Sequence, residues 1–516
     1  MTIEDVQRPY SIVKADAKSG MNFVRYPYEL ELFSRQQDGE LERIKVALEG
    51  STYIPKPCSL ANVPKGKGAV RPGAILTIED QVAYTMLVDS IYPQLHSEMA
   101  NLQGVSDFAY QLQPQDHADT WFKHQFTCWN DFKNQSLAKI ANGHQFVVVT
   151  DVTGCYENID LNLLIADLRR IGAPEETVSQ IRKMLKKWSQ VGTKGLPQGV
   201  SASHLLAKLY MSGVDVEMRN AGYTQFRFVD DIRIFCNSIP EAKKALMALT
   251  DILRRRGLNL QSAKSKILQA DEARLEIAGK ATVIDALHAR LRNETDMIEV
   301  DGYPYAIEIQ INTGVPNPEQ LNIIKQAFRD YFLLADDSDF DKSLFHYLLN
   351  KLGNANDDIA VAYCLDLLER HPEETSAILK YLSKQNNLPP LFPQLITFMN
   401  SENAVYDYQN YLIAEWLLEN GCHSSNFKTI LRANAFDNNK PSYYRAKAKQ
   451  ALGAVGDHSD LIRIRDSLHD APSIQEKQAV ICSLTKLESS VRNTFLSETT
   501  ASDSDLTNAC EHTRSS

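Results

Sequence analysis

No stretch of this chain approaches the ~18 consecutive apolar residues that a membrane-spanning helix needs, so hydropathy gives no candidate bilayer span. The opening Met1-Thr2-Ile3-Glu4-Asp5 is acidic where a secretory leader is basic and then apolar, which predicts a cytoplasmic protein with no membrane partner. Paired cysteines are missing too. The eight cysteines, among them Cys58, Cys155, Cys236 and Cys482, follow no short repeated spacing, and this favours reduced core thiols over disulfides or zinc. Positive charge is also short: the formal net charge is -10, awkward for a phosphate binder because that binding is electrostatic. General DNA binding is therefore disfavoured, leaving a dedicated nucleic acid or no long template. What the chain does have is bulk, since 516 residues at 43% hydrophobic content supply two or three cores.

Within that bulk, Phe228-Val229-Asp230-Asp231 sets two adjacent carboxylates in an apolar, strand-like run continuing through Ile232, Ile234 and Phe235. Such a pair alternates faces on a strand or sits at a hairpin turn, so one acid can enter a site while its neighbour points aside. Upstream, Gln145 to Thr150 is a β-branched apolar run that presents Asp151 at its C-terminal edge, followed by a short turn carrying Tyr156. Between the two acidic segments lies Gly195-Leu196-Pro197-Gln198-Gly199-Val200-Ser201, a punctuated turn leading into the apolar helix pattern Leu205, Leu206, Leu209 and Tyr210.

In this order the segments resemble the palm motifs of a reverse transcriptase. Asp151 to Tyr156 resembles motif A, Leu196-Pro197-Gln198-Gly199 motif B, Phe228 to Asp231 motif C, and Gly257-Leu258-Asn259-Leu260 with Lys264-Ser265 motif D. Val63-Pro64-Lys65-Gly66-Lys67-Gly68 through Arg71-Pro72, then Ile75 to Asp80-Gln81, resembles the fingers block of bacterial and group II intron-type enzymes. The resemblance implies an α+β right-hand polymerase, with fingers-like residues 1–130 and a palm over 131–320. It also implies an RNA-directed DNA polymerase (nucleotidyltransferase) that uses dNTPs.

The chemistry accounts for the residue types. Two divalent ions about 3.5–4 Å apart lower the hydroxyl pKa, stabilise the pentacovalent phosphate and neutralise pyrophosphate. Mg²⁺, with Mn²⁺ as a substitute, takes oxygen ligands from few carboxylates plus substrate phosphates. Asp151 and Asp230 are the expected shared ligands and Asp231 adjusts the attacking side. By resemblance the backbone of Val152 meets the triphosphate, and Tyr156 stacks beneath the incoming sugar and excludes a 2′ hydroxyl; its other reading is an ordinary core aromatic. Gln198 and Gly199 would meet the nucleotide, because a glycine permits backbone approach that a Cβ blocks. Lys65 and Arg71 would clamp its phosphates, or are solvated charges on a Gly-rich loop. Lys264, with Lys266 close by, is the candidate proton donor to pyrophosphate.

The chain departs from the family at Phe228, which has no phenolic hydroxyl to offer near a primer. No thumb, RNase H-like acid constellation or endonuclease Cys/His cluster is evident, which argues against a retrovirus-like or mobile-intron enzyme. Basic clusters at Arg182, Lys183, Lys186 and Lys187, at Arg254 to Arg256, and at Lys264 with Lys266 are candidate tracks for nucleic acid or solvated helix faces.

Past residue 320 the periodicity becomes helical throughout, in Tyr363–Leu368, Tyr411–Leu418 and Arg445–Gly453, and predicts an all-α, HEAT-like repeat domain over 321–496. Residues 497–516, rich in Ser, Thr and Asp, are expected to form a disordered tail. A reverse transcriptase palm followed by helical repeats resembles the bacterial antiphage enzymes of the abortive-infection and defence-associated type. That resemblance implies a homo-oligomer whose DNA product is untemplated or copied from a noncoding RNA, with synthesis starting on a protein hydroxyl. The sequence leaves open an RNA-directed RNA polymerase or terminal transferase on the same palm, and a catalytically silent nucleic-acid-binding scaffold.

Overall fold

A computed structural model describes residues 3–114, 120–278, 297–300, 307–310, 315–334 and 340–516. The strands are β1 (Ser59–Lys65), β2 (Ala69–Ile75), β3 (Phe146–Asp151), β4 (Thr224–Phe228), β5 (Asp231–Cys236), β6 (Lys266–Gln269), β7 (Met297–Val300) and β8 (Ile307–Gln310). The chain divides into two compact units. One holds residues 1–22, 41–58 and 79–312; the other holds 23–40, 59–78 and 313–516.

The first unit is built on an antiparallel sheet of order β4-β5-β3-β6. Its two central strands, Phe-Val-Val-Val-Thr-Asp and Asp-Ile-Arg-Ile-Phe-Cys, are β-branched and aromatic, which suits a pleated surface covered by helices. The helix Ser201–Asn220 packs against β4, Ile239–Arg255 against β5 and β3, and Gln125–Ala141 against β4 and β5. Ser238 starts the second of these by accepting a hydrogen bond from the Glu241 amide, with a proline in the first turn where no N–H is needed.

The second unit joins a long helical series to two segments from early in the chain. The helices Lys342–Asn354, Thr375–Leu382, Asp407–Glu419, Ser442–Val455, Ile474–Cys482 and Thr507–Ser515 each pack on the next of the six, a shared row with a period of about 33 residues. Intervening helices such as Val361–Arg370 and Ser425–Ala435 pack on members of that row. The three helical stripes read from sequence fall on Val361–Arg370, Asp407–Glu419 and Ser442–Val455, and Trp416 is a core residue whose indole N–H donates to Ser383. The period is shorter than the ≈40–47 residues of HEAT repeats and nearer the 34 of tetratricopeptide-type hairpins.

Two expected boundaries need correction. Residues 489–502 and 507–515 are helices that bury Leu496, Thr499, Ala509 and Cys510, and the short turn Ser504–Leu506 between them buries Leu506, so the expected disordered tail is folded. Its polar composition hides enough apolar positions to finish the row. Residues 1–130 are also not one contiguous region, because 23–40 and the β1–β2 hairpin group with the helical series. Segment 23–35 lies along the row: Tyr411 donates to the Arg25 carbonyl at 3.0 Å and Asn508 to the Leu32 carbonyl at 2.8 Å. The hairpin closes on that segment at Gly73, where a Cβ would come within 2.6 Å of the Phe23 ring.

Gly453 marks a similarly close approach, between Ser442–Val455 and the end of Ile474–Cys482. A Cβ at Gly453 would overlap the Ser483 carbonyl oxygen and stand 2.8 Å from the Ser483 Cβ. Gly453→Ala is therefore expected to destabilise the chain by about 1–3 kcal/mol through overpacking. Urea unfolding decides the sign, since at an uncrowded helix position the same change would stabilise by roughly 1 kcal/mol.

Candidate active site

The register of the sheet assembles the acids. Asp151, last in β3, pairs directly with Asp231, first in β5, and Phe228 at the end of β4 also pairs with Asp231. That leaves Val229-Asp230 as a two-residue hairpin turn. Such turns need φ > 0 and favour Asn or Gly, yet here the β-branched Val229 adopts φ 56°. The Val152 amide donates to the Asp230 carbonyl at 3.1 Å, tying the turn to the strand that carries Asp151. The motif D segment closes over the same edge: Thr153 donates to the Asn259 carbonyl, Gln261 to the Asp151 carbonyl, and the Thr150 and Ser265 hydroxyls meet at 2.7 Å.

Crowding dominates the electrostatics. Burial, then the charges of Asp230 and Asp151, push the Asp231 carboxyl up to about 7, against the smaller opposing effect of Lys264 and Arg233. The Lys264 ammonium bonds Asp151 Oδ2. Burial acts to lower its pKa, but the bond to Asp151 and the charges of Asp151, Asp231 and Asp230 raise it overall. Lys264 thus stands among the carboxylates. Lys266 turns away and pairs with Glu276.

Among the described residues, no three His, Cys, Asp or Glu side chains converge closely enough to hold an ion as they stand. The donor set nevertheless fits one. Asp151 Oδ1 is buried without a hydrogen-bond partner, and burial, with the charges of Asp230 and Asp151 beside it, holds a proton on Asp231 near neutrality. All the donors are hard oxygens, which suits Mg²⁺ or Mn²⁺.

The motif B turn meets motif A through the backbone, with Leu196 donating to the Tyr156 carbonyl and Gly195 to that of Ile159. Gly199 sits at φ 106° and its carbonyl accepts from Asn22 Nδ2 at 2.6 Å; Gln198 beside it is buried. The helix that follows has no side-chain cap of its own. Asp16 supplies one, accepting from the Ser201 amide at 2.8 Å and the Ser201 hydroxyl at 2.6 Å.

Tyr156 is buried and its hydroxyl lies 2.6 Å from Nδ1 of His204. His204 is stacked on Tyr110 at 4.4 Å, and burial lowers its pKa to about 3, so the ring is neutral. Phe228 is packed edge-on against Trp129 at 5.0 Å and beside Phe132, making position 228 a core aromatic. Lys65 and Arg71 lie on β1 and β2 in the other unit, Lys65 paired with Ala69 and Arg71 with Val63.

The basic cluster at 254–256 is not a free cationic track. Arg255 pairs with Glu217, Arg256 with Asp167, and Arg254 lies 3.7 Å from Asp251. Lys186 and Lys187 are exposed on Glu175–Trp188. Sequence reasoning missed Asp16, Asn22, His204 and the buried charges Asp107, Lys208, Asp215 and Arg227. The one available signal was a lone charge inside each apolar pattern, at Arg227 in the strand Thr-Gln-Phe-Arg-Phe and at Lys208 in the helix after motif B.

Residues 63–285 match the family described as reverse transcriptase (RNA-dependent DNA polymerase), a span that contains every motif residue named above. Residues 63–285 therefore carry a reverse transcriptase domain. Among solved structures it is similar to telomerase from Candida albicans in complex with a TWJ fragment of telomeric RNA, at 10% identity and a TM-score of 0.31. That match covers 73% of this chain and 63% of the telomerase chain. Apo telomerase from Candida tropicalis matches at 11% identity and a TM-score of 0.32, covering 94% of this chain and 74% of that one. No curated protein matches the sequence.

The Asp16 cap gives a pH dependence. Burial raises this carboxyl from 3.8 to about 7, outweighing its two bonds to Ser201. The folded chain then holds a proton that the unfolded chain releases, so this group's contribution is complete below pH 4 and is lost as pH rises to about 7. Asp16→Asn should flatten that part of the stability profile in urea unfolding between pH 4 and 8. Parallel wild-type and mutant profiles would contradict the assignment.

Proposed function

We propose that the reverse transcriptase domain of residues 63–285 is an active DNA polymerase that joins dNTPs by two-metal nucleotidyl transfer, with Asp151, Asp230 and Asp231 as its carboxylates. The observation that supports this is the pairing of Asp151 with Asp231 across β3 and β5, with Asp230 in the adjoining turn. Bound divalent ions would supply Lewis acidity at the attacking hydroxyl and the transferring phosphate. The protein's own part is to hold three oxygen donors at one end of the central strands and to keep Lys264 beside Asp151 as a proton source for the leaving pyrophosphate. Val152 would contribute backbone contact. Gln198 and Gly199 would line the nucleotide, and Lys65 and Arg71 would contact its phosphates. Tyr156, held by its bond to His204, would present a fixed edge to the sugar and favour dNTP over rNTP.

In this reading the protein is a cytoplasmic antiphage enzyme of the abortive-infection type. Its C-terminal helical pairs form a repeat array through which copies associate, and its DNA, untemplated or copied from a noncoding RNA, starts on a protein hydroxyl. The unbroken row of helices from Lys342 to Ser515 that follows the palm in the sequence supports it. A silent scaffold is disfavoured because all three acids are present and crowded enough to perturb one another.

Purified chain incubated with labelled dNTPs and Mg²⁺, without template or primer, tests the proposal on denaturing gels with and without nuclease or protease. Label should stay with the protein. It should fall by at least about 10²-fold in Asp230→Asn/Asp231→Asn, the scale for removing a group that stabilises transition-state charge, with folding intact by circular dichroism. Label appearing only with added template and primer would make a conventional reverse transcriptase the better account, and full activity in the double mutant would refute the mechanism. Tyr156→Ala should raise incorporation of rNTPs relative to dNTPs; an unchanged ratio would return Tyr156 to the role of a core aromatic.

A further inference from the structure

The turn that carries Asp230 is strained, and something other than its own sequence holds it. Val229 sits at φ 56°, a region that β-branched residues rarely enter, in a two-residue loop where Gly or Asn would adopt it freely. Directly beneath it lies Arg227, whose side chain is 2% exposed. Its Nη1 donates to the Val229 carbonyl at 3.0 Å. The rest of the guanidinium is locked: Nε bonds both Asp215 oxygens at 3.0 and 3.1 Å, and Nη2 lies 2.6 Å from Asp215 and 2.9 Å from Asp107. Lys208 completes the group, donating to Asp107 at 2.6 Å and to the Ala109 carbonyl at 2.7 Å, while Gln225 donates to Asp215.

Two acids and two bases buried together are a weak source of stability, because desolvation offsets most of their attraction. What this group does achieve is orientation. The Val229 carbonyl belongs to the peptide that leads into Asp230, and the Asp230 carbonyl on the far side accepts from the Val152 amide. Both peptide planes flanking Asp230 are thereby pinned, one from below and one from β3. A lysine could not replace this arginine, since one ammonium cannot keep the two-pronged bond to Asp215 and also reach the carbonyl.

We propose that Arg227 is a positioning residue for the polymerase reaction: held by Asp215 and Asp107, it fixes the strained Val229 turn and so aims the Asp230 and Asp231 carboxylates. The inference rests on reading those acids as catalytic. Four chains test it: wild type, Arg227→Lys, Val229→Gly and the double variant. In Arg227→Lys, kcat should fall on the order of tenfold or more with little change in KM for dNTP, and half-maximal activity should need more Mg²⁺. Hydrogen exchange of the metal-free protein, which needs no activity, should show faster exchange confined to the segment around 228–232. Adding Val229→Gly should recover part of the lost kcat, because glycine accepts that φ without a clamp, whereas a lost core contact would not be rescued this way.

Wild-type kcat and exchange in Arg227→Lys would overturn the proposal. So would a loss that tracks global melting and is not relieved by Val229→Gly. Should Arg227→Lys fail to fold, Asp215→Asn loosens the same guanidinium without changing volume, and it must show the same local exchange signature in weaker form or the proposal fails. A wild-type chain that incorporates no nucleotide would refute the catalytic reading instead, and the exchange comparison would still decide whether Arg227 holds the turn.

Discussion

Everything at the candidate site depends on one register. β3 and β5 are antiparallel, and their pairing sets Asp151 opposite Asp231 where the two strands end, with Asp230 in the adjoining turn. A slip of one residue would turn every side chain of one strand to the opposite face and separate the acids. The register is held where slipping costs most, by the buried apolar residues Val147, Val148, Ile232, Ile234 and Phe235 packed under helices, and by β6 on the other side of β3. The core of the first unit therefore shapes the candidate site directly, because it is what gathers like charges that repel one another.

That gathering is unfavourable in the protein alone, and the surroundings answer it by position more than by charge. Lys264 stands against Asp151, and the motif D segment is tied to motif A through backbone bonds at Thr153 and Gln261. Motif B is tied to motif A at Gly195 and Leu196, and to the N-terminal segment through Asp16 and Asn22. Arg227 holds the turn from beneath. Apart from the Arg227 bond to Val229, each tie joins residues far apart in sequence, which explains how short motifs that cannot fold alone become one site.

The same separation sets what could be read from the chain. Asp151, Leu196-Pro197-Gln198-Gly199 and Asp230-Asp231 were legible because the chemistry restricts residue type and order, and the β-branched runs beside the acids mark the strands that carry them. The Arg227 group was not, since Asp107, Lys208, Asp215 and Arg227 each look like an isolated charge until the fold joins them. Nor does composition show that Val229 takes a left-handed conformation where a glycine is usual. The last twenty residues read as disordered because Ser, Thr and Asp dominate their average, although Leu506 and Cys510 are spaced to cover a neighbouring helix. Grouping of segment 23–40 and the β1–β2 hairpin with the helical row is a long-range fact that no local pattern carries.

The central claim, that Asp151, Asp230 and Asp231 form a divalent-cation site, is tested most directly by titrating Mn²⁺ into the purified chain with a non-hydrolysable dNTP and following free ion by electron paramagnetic resonance. The account predicts about two tightly bound ions per chain in the wild type, as a two-metal site requires, and loss of that binding in Asp151→Asn. Equal binding in wild type and Asp151→Asn, or none in either, would contradict it.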